Sequence, residues 1–312
     1  MENLYLSFNV VMPVCLTMIL GYFLKKIHIF DSSSLKKINS AVFKVFLPIL
    51  IFYNIYTSEI ADIFNFKLIL YSILSILAVF FLAFIFVIII EKDNKKRGVL
   101  IQGIFRSNFV ILGIPFSTAL YGNEINGTIS VLIAIIVPLF NILAVICLEI
   151  FHNAKPDFKT IIKGIITNPL IIASSIGLIF LFAKIKLFSF IEPAMVDIKN
   201  MTTPLAIIAL GGAIDFKSVK KNIKQIIIGI LGKLVFTPLI VIGFGILAGF
   251  RNAELMILVT LSASPVAVSS YTMAQQMGGD DELAAQLQMF TTTLCIITVF
   301  LWVFVLKQFG FI

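Results

Sequence analysis

Ten runs of roughly 20 mostly apolar residues, each long enough to cross ~30 Å of hydrocarbon, leave this chain few possible folds. They lie at about 7–24, 35–57, 67–90, 99–121, 127–149, 160–183, 192–214, 223–249, 254–277 and 282–306. Lipid offers no partner to a backbone N–H or C=O, so each run must be helical. The reading is an all-α membrane protein. No linker is long enough to separate soluble domains, so residues 1–312 form one transmembrane domain. Met1-Glu2-Asn3 lacks the basic region and cleavage site of a signal peptide, so the first run is expected to be a retained span.

Two of these runs are interrupted in matching places. Gly113-Ile114-Pro115 lies in the fourth and Ser264-Pro265 in the ninth, each proline followed six residues later by a tyrosine, Tyr121 or Tyr271. Proline removes a backbone donor and crowds the preceding turn. The carbonyls so freed survive at bilayer depth only where protein or a water-filled cavity surrounds them. Interrupted helices at corresponding positions of two halves point to the binding site of a secondary transporter.

The halves are related by an internal repeat. Pro13, Gly21 and Pro48 recur as Pro169, Gly177 and Pro204, each 156 residues on; Pro115 and Tyr121 recur 150 residues on. Five spans per half is odd, so the second half (153–312) enters the membrane inverted relative to the first (1–152). Charge orients the pair. Loops 25–37, 91–98, 150–163, 215–224 and 278–281 carry fifteen Lys/Arg against six on the other side. The Lys/Arg excess marks the cytoplasmic face, which puts both termini outside a multi-pass protein of the cytoplasmic membrane. The net charge of +8 mostly reflects this asymmetry. No basic stretch interleaved with aromatics suggests a nucleic-acid partner.

The stretch Arg106-Ser107-Asn108 through Gly113-Ile114-Pro115 to Tyr121-Gly122 resembles the fourth-span signature of the auxin efflux carrier family. Ala263-Ser264-Pro265, Ala274-Gln275-Gln276 and Asp280, Pro48, Asn168-Pro169 and Gly211-Gly212 agree with it. The resemblance implies two inverted five-helix repeats with helices 4 and 9 broken and crossing near the midplane. It implies a scaffold of helices 1, 2, 6 and 7 that forms a homodimer, and a transport domain of helices 3–5 and 8–10 moving as an elevator. Prokaryotic members are generally permeases for malate, malonate and similar acids, and the resemblance places Asn108 at the substrate site.

The ionisable residues point the same way without it. All sixteen carboxylates fall in loops or near span ends, whereas Lys44, Arg106 and Lys233 lie inside spans. Charge in the bilayer interior costs at least ~2.5–3.5 kcal/mol. Snorkelling suits Lys44; Lys233 is near mid-span, and Arg106 with Asn108 approaches the break. Uncompensated positive charge around a cavity favours an anion. Half-helices starting at Pro115 and Pro265 add free N–H groups and a positive dipole end. Gly113, Ser262 and Ser264 permit close backbone approach, though small residues also serve helix contacts in membranes. Asn141 maps by the 150-residue offset onto Thr291, with Gln288 one turn before, and a lone hydroxyl can instead bond its own helix. Asn54 either lines the path or caps a helix end.

The expected activity is therefore secondary transport of a small organic anion, a carboxylate such as malate or an auxin-like acid. A passive anion channel and a sodium-coupled symporter are the alternatives. No enzyme is expected: Asp280-Asp281-Glu282 has no second acidic cluster to complete a Mg²⁺ site. Cys15, Cys147 and Cys295 are scattered, and no cofactor or metal is expected. Some plant members of the family carry an aspartate–lysine pair in the third span; Leu68 to Ile90 holds no charge here, so coupling to H⁺ or Na⁺ stays open.

Overall fold

A computed structural model describes residues 2–58, 65–110, 117, 121–122, 125–152, 158–215 and 218–312. Within them every regular element is a helix. We number them α1 (Glu2–Lys26), α2 (Ser32–Tyr56), α3 (Phe66–Ile90), α4 (Asn94–Phe105), α5 (Asn126–His152), α6 (Phe158–Thr167), α7 (Pro169–Phe182), α8 (Glu192–Ala213), α9 (Val219–Leu247), α10 (Asn252–Ala263), α11 (Val268–Gln276) and α12 (Asp281–Gln308). Six segments among the described residues are long and apolar enough to cross a membrane: α2, α3, α5, α9, the α10–α11 pair and α12. The fold is all-helical and multi-pass.

The sixth expected span, 160–183, is not one rod. It splits into α6 and α7 at Asn168-Pro169. Proline pushes the residue before it out of helical geometry; Asn168 is extended, and its side chain accepts from the Leu170 N–H at 2.9 Å, capping α7. In α2 and α9 prolines are absorbed differently. One residue before Pro48 and Pro238 the helix widens into a π turn, with Leu47 N–H donating to Val42 O and Thr237 N–H to Gly232 O. The wider turn relieves the clash of the proline ring with the carbonyl four residues back. At Pro238 that carbonyl belongs to Leu234, and it accepts the indole N–H of Trp302 at 3.1 Å.

Glycines set the closest helix contacts. A Cβ on Gly21 would lie 2.1 Å from Ile208 O, and one on Gly211 would lie 2.0 Å from Met18 O, so α1 and α8 meet backbone to backbone. Gly177 of α7 sits against Phe52 and Ile55 of α2, where a Cβ would be 3.1 Å from the Ile55 side chain. On the other side of the molecule α4 packs on α3 and α5, α9 on α10, and α10 and α11 on α12. Large apolar residues remain exposed along α3 (Phe81, Ile85, Ile89) and α9 (Leu239, Phe244, Leu247). Such faces are a liability in water and cost nothing against lipid.

Candidate functional site

The site begins where two helices stop. α4 ends at Arg106, whose backbone turns extended (φ −78°, ψ 132°). α10 ends at Ser264 (φ −63°, ψ 150°), and α11 starts only after Ala267 (φ −65°, ψ 138°). Pro265 explains the second interruption, because it lacks a donor and forces Ser264 out of the helix. The two stops meet: Asn108 N–H donates to Pro265 O at 2.8 Å. Gly113 and Pro115 lie outside the described residues.

Main-chain groups released at the α10–α11 break are taken up locally. Ser264 Oγ donates to Thr260 O, and the Lys233 ammonium donates to Ser262 O at 3.1 Å. Ser262 Oγ bonds Leu258 O at 2.7 Å within its own helix. Thr291 Oγ1 donates to Leu287 O at 2.7 Å and accepts from Val266 N–H at 3.3 Å. Lys233 is fully buried near the start of a π turn, with its positive charge at the carbonyl end of α10, where the helix dipole favours a cation. These groups hold the break open and satisfied.

A cavity of about 110 Å³ lies beside the meeting of the two stops. Of the residues expected at the site, Asn54, Arg106, Asn108 and Asn141 line it; Lys233, Ser262, Ser264, Pro265, Gln288 and Thr291 do not. Its other walls are mostly apolar, including Ile51, Ile133, Val137 and Phe140, with Ser107, Thr203 and Ser269 adding hydroxyls. Ala267, Val268 and Ser269 bring the first turn of α11, with its free N–H groups, to the cavity wall.

Arg106 is the charge in this wall and is 3% exposed. Its guanidinium donates to Asn141 Oδ1 at 2.6 Å, to Ser269 Oγ at 2.8 Å and to Met273 Sδ at 2.6 Å, all neutral acceptors. Among the described residues, Asn141 Nδ2 and Ser107 Oγ are buried without a partner. A buried charge with no counter-charge among the described residues, flanked by unspent donors, is costly unless an acceptor completes it. The pattern is donor-rich and acceptor-poor.

Sequence reasoning did not single out Met273 or Gln102. Gln102 stands one turn before Arg106, donates from Nε2 to Ser270 O at 3.1 Å, and keeps Oε1 unpartnered. A glutamine in an apolar helix four residues before the arginine was the available signal. Gln288, by contrast, is buried with both amide atoms unpartnered but away from the cavity.

Comparison with known proteins shows the family of the chain. The family model described as "Membrane transport protein" matches residues 6–303. An uncharacterized transporter of Methanocaldococcus jannaschii is 24% identical over 311 aligned residues, covering 96% of this chain and 98% of the relative. One of Methanothermobacter thermautotrophicus is 21% identical over 305, with the same coverage. The chain is a membrane transporter and belongs to the membrane transport protein family of the auxin efflux carriers.

Proposed function

We propose that the protein is a secondary transporter of small organic anions and that the cavity beside the crossed breaks holds the carboxylate. The observation that carries this is the Arg106 guanidinium, buried against neutral partners beside the unspent donors Asn141 Nδ2 and Ser107 Oγ. A carboxylate supplies the acceptors they lack, in a charge-assisted hydrogen bond of the strong kind. The first turn of α11 adds its dipole, and Asn108, tied by its backbone to Pro265, offers a side-chain amide from the opposite break. The apolar wall takes the remainder of a small acid such as malate or a related carboxylate.

The same reading extends to architecture. Ten helices are arranged as two inverted five-helix repeats, with both termini outside. In support, α1 packs on α8 much as α7 packs on α2, an exchange that a two-fold axis in the membrane plane would produce. Gly21 and Gly177, repeat mates, each sit at one of those contacts. Helices α1, α2, α6, α7 and α8 form the scaffold and the homodimer contact; the others move the cavity across the membrane as an elevator. In proteoliposomes the purified protein should show saturable counterflow of a small carboxylate. Asn108→Ala should lower uptake about tenfold or more, as loss of a hydrogen bond to a charged ligand does, while leaving thermal unfolding unchanged. Single-channel currents, or wild-type uptake by the variant, would refute the carrier reading or the Asn108 role.

A further inference from the structure

A second cavity, of about 290 Å³, opens between the start of α2, the end of α8 and the α11–α12 junction. Lys25 and Lys36 line it on one side, Asp281 and Glu282 on the other. Its position relative to the central cavity is fixed on three helices. Along α2, Leu35 and Lys36 line this vestibule and Leu47 to Asn54 the central cavity; Asn39 stands between. Along α8, Gly212 and Ala213 face the vestibule and Thr203 and Ala206 the central cavity, with fully buried Leu210 between. Along α11, Val268 and Ser269 belong to the central cavity and Tyr271 and Gln275 to the vestibule, with buried Ser270 between and Thr272 bonded to Asn39.

What stands between is hydrogen-bonded across the gap. Asn39 Nδ2 donates to Gln275 Oε1 at 2.7 Å, and Thr272 Oγ1 donates to Asn39 Oδ1 at 2.8 Å. Gln275 Nε2 in turn donates to Tyr271 Oη and to Asp281 Oδ2, each at 3.0 Å. Asn39 and Thr272 are 0% exposed, so the partition is dry at its centre. Every side-chain amide atom of Asn39 is spent on α11, and none on its own helix. Buried polar groups cost too much to leave unpaired for this to be filler.

We infer that Asn39, Thr272 and Gln275 form a gate between the anion cavity and a charged vestibule on the side of the α1–α2 and α11–α12 loops. The inference rests on the transport reading of the central cavity. Opening separates α2 from α11 and releases both amides into water entering from the vestibule, where they rehydrate; closing returns them to each other. The gate is all neutral at the centre, so it holds no counter-charge that would trap a passing anion.

The test reads access without any substrate. In a Cys15→Ala background, Thr203→Cys places a thiol in the central cavity, and a membrane-impermeant methanethiosulfonate is applied to vesicles of each orientation. Thr272→Val, which removes one hydroxyl and keeps the shape, should raise labelling from the vestibule side about tenfold, a shift in population that one lost buried hydrogen bond supports. Labelling from the other side should not rise. Asn39→Ala should raise it further, and Ser174→Ala, a buried serine bonded to Leu170 O in α7, should leave both rates unchanged. Equal labelling in Thr272→Val and the parent, or a rise from both sides, overturns the gate. If labelling responds as stated while carboxylate counterflow is absent, the gate stands and the substrate assignment falls.

Discussion

Three cations lie within apolar runs of the chain, and each meets its cost differently. Lys44 sits in the π turn of α2 and is exposed. Lys233, in the π turn of α9, is buried and spent on Ser262 O. Arg106 alone joins a cavity. Charge in an apolar span flagged all three in sequence and set Lys44 apart as a snorkelling residue, but it did not separate Lys233 from Arg106, because the partner of Lys233 is 29 residues away in chain and is a backbone carbonyl. If Lys233 holds the end of α10, Lys233→Met should lower thermal stability by about 1–3 kcal/mol, the penalty for a buried acceptor left unmade, with carboxylate affinity nearly intact. A variant that kept its stability but lost affinity would move Lys233 into the site.

Among elements, the breaks matter most. Pro265 made the α10–α11 interruption legible in sequence, and the structure has it, with four residues, Ser264 to Ala267, outside helix. The Asn168-Pro169 break was not read that way, although the residues are as explicit, because hydropathy continues across it. The π turns at Val42–Phe46 and Gly232–Phe236 left no sign in hydropathy at all; they are how α2 and α9 carry a proline without stopping. In α9 the carbonyl freed by Pro238, Leu234 O, finds a partner in the Trp302 indole N–H. Pro265→Ala restores a donor and removes the ring clash, so α10 and α11 should tend to fuse. Transport should drop while thermal stability rises or holds; unchanged transport would mean that the break does not shape the site.

At the scale of the molecule, class and composition were plain from ten apolar runs, sixteen peripheral carboxylates and the Lys/Arg asymmetry. The cavity was partly legible: Asn54, Arg106, Asn108 and Asn141 came from polar residues in apolar helices. Ser262, Ser264 and Thr291 looked similar in sequence and instead bond the main chain around the break. Hydroxyls have that local option, and side-chain amides and guanidinium use it less readily. The Asn39–Gln275 contact, 236 residues apart, was beyond any reading of periodicity. The anion cavity is the claim on which the rest depends, and equilibrium binding tests it most directly. Malate and its neutral diamide should be compared by calorimetry on purified wild-type protein and Arg106→Gln. Malate should bind the wild type and the diamide should not, with affinity for malate falling about tenfold or more in the variant, the loss of a charged hydrogen-bond partner. Equal binding of acid and diamide, or undiminished binding of malate by Arg106→Gln, would contradict the account.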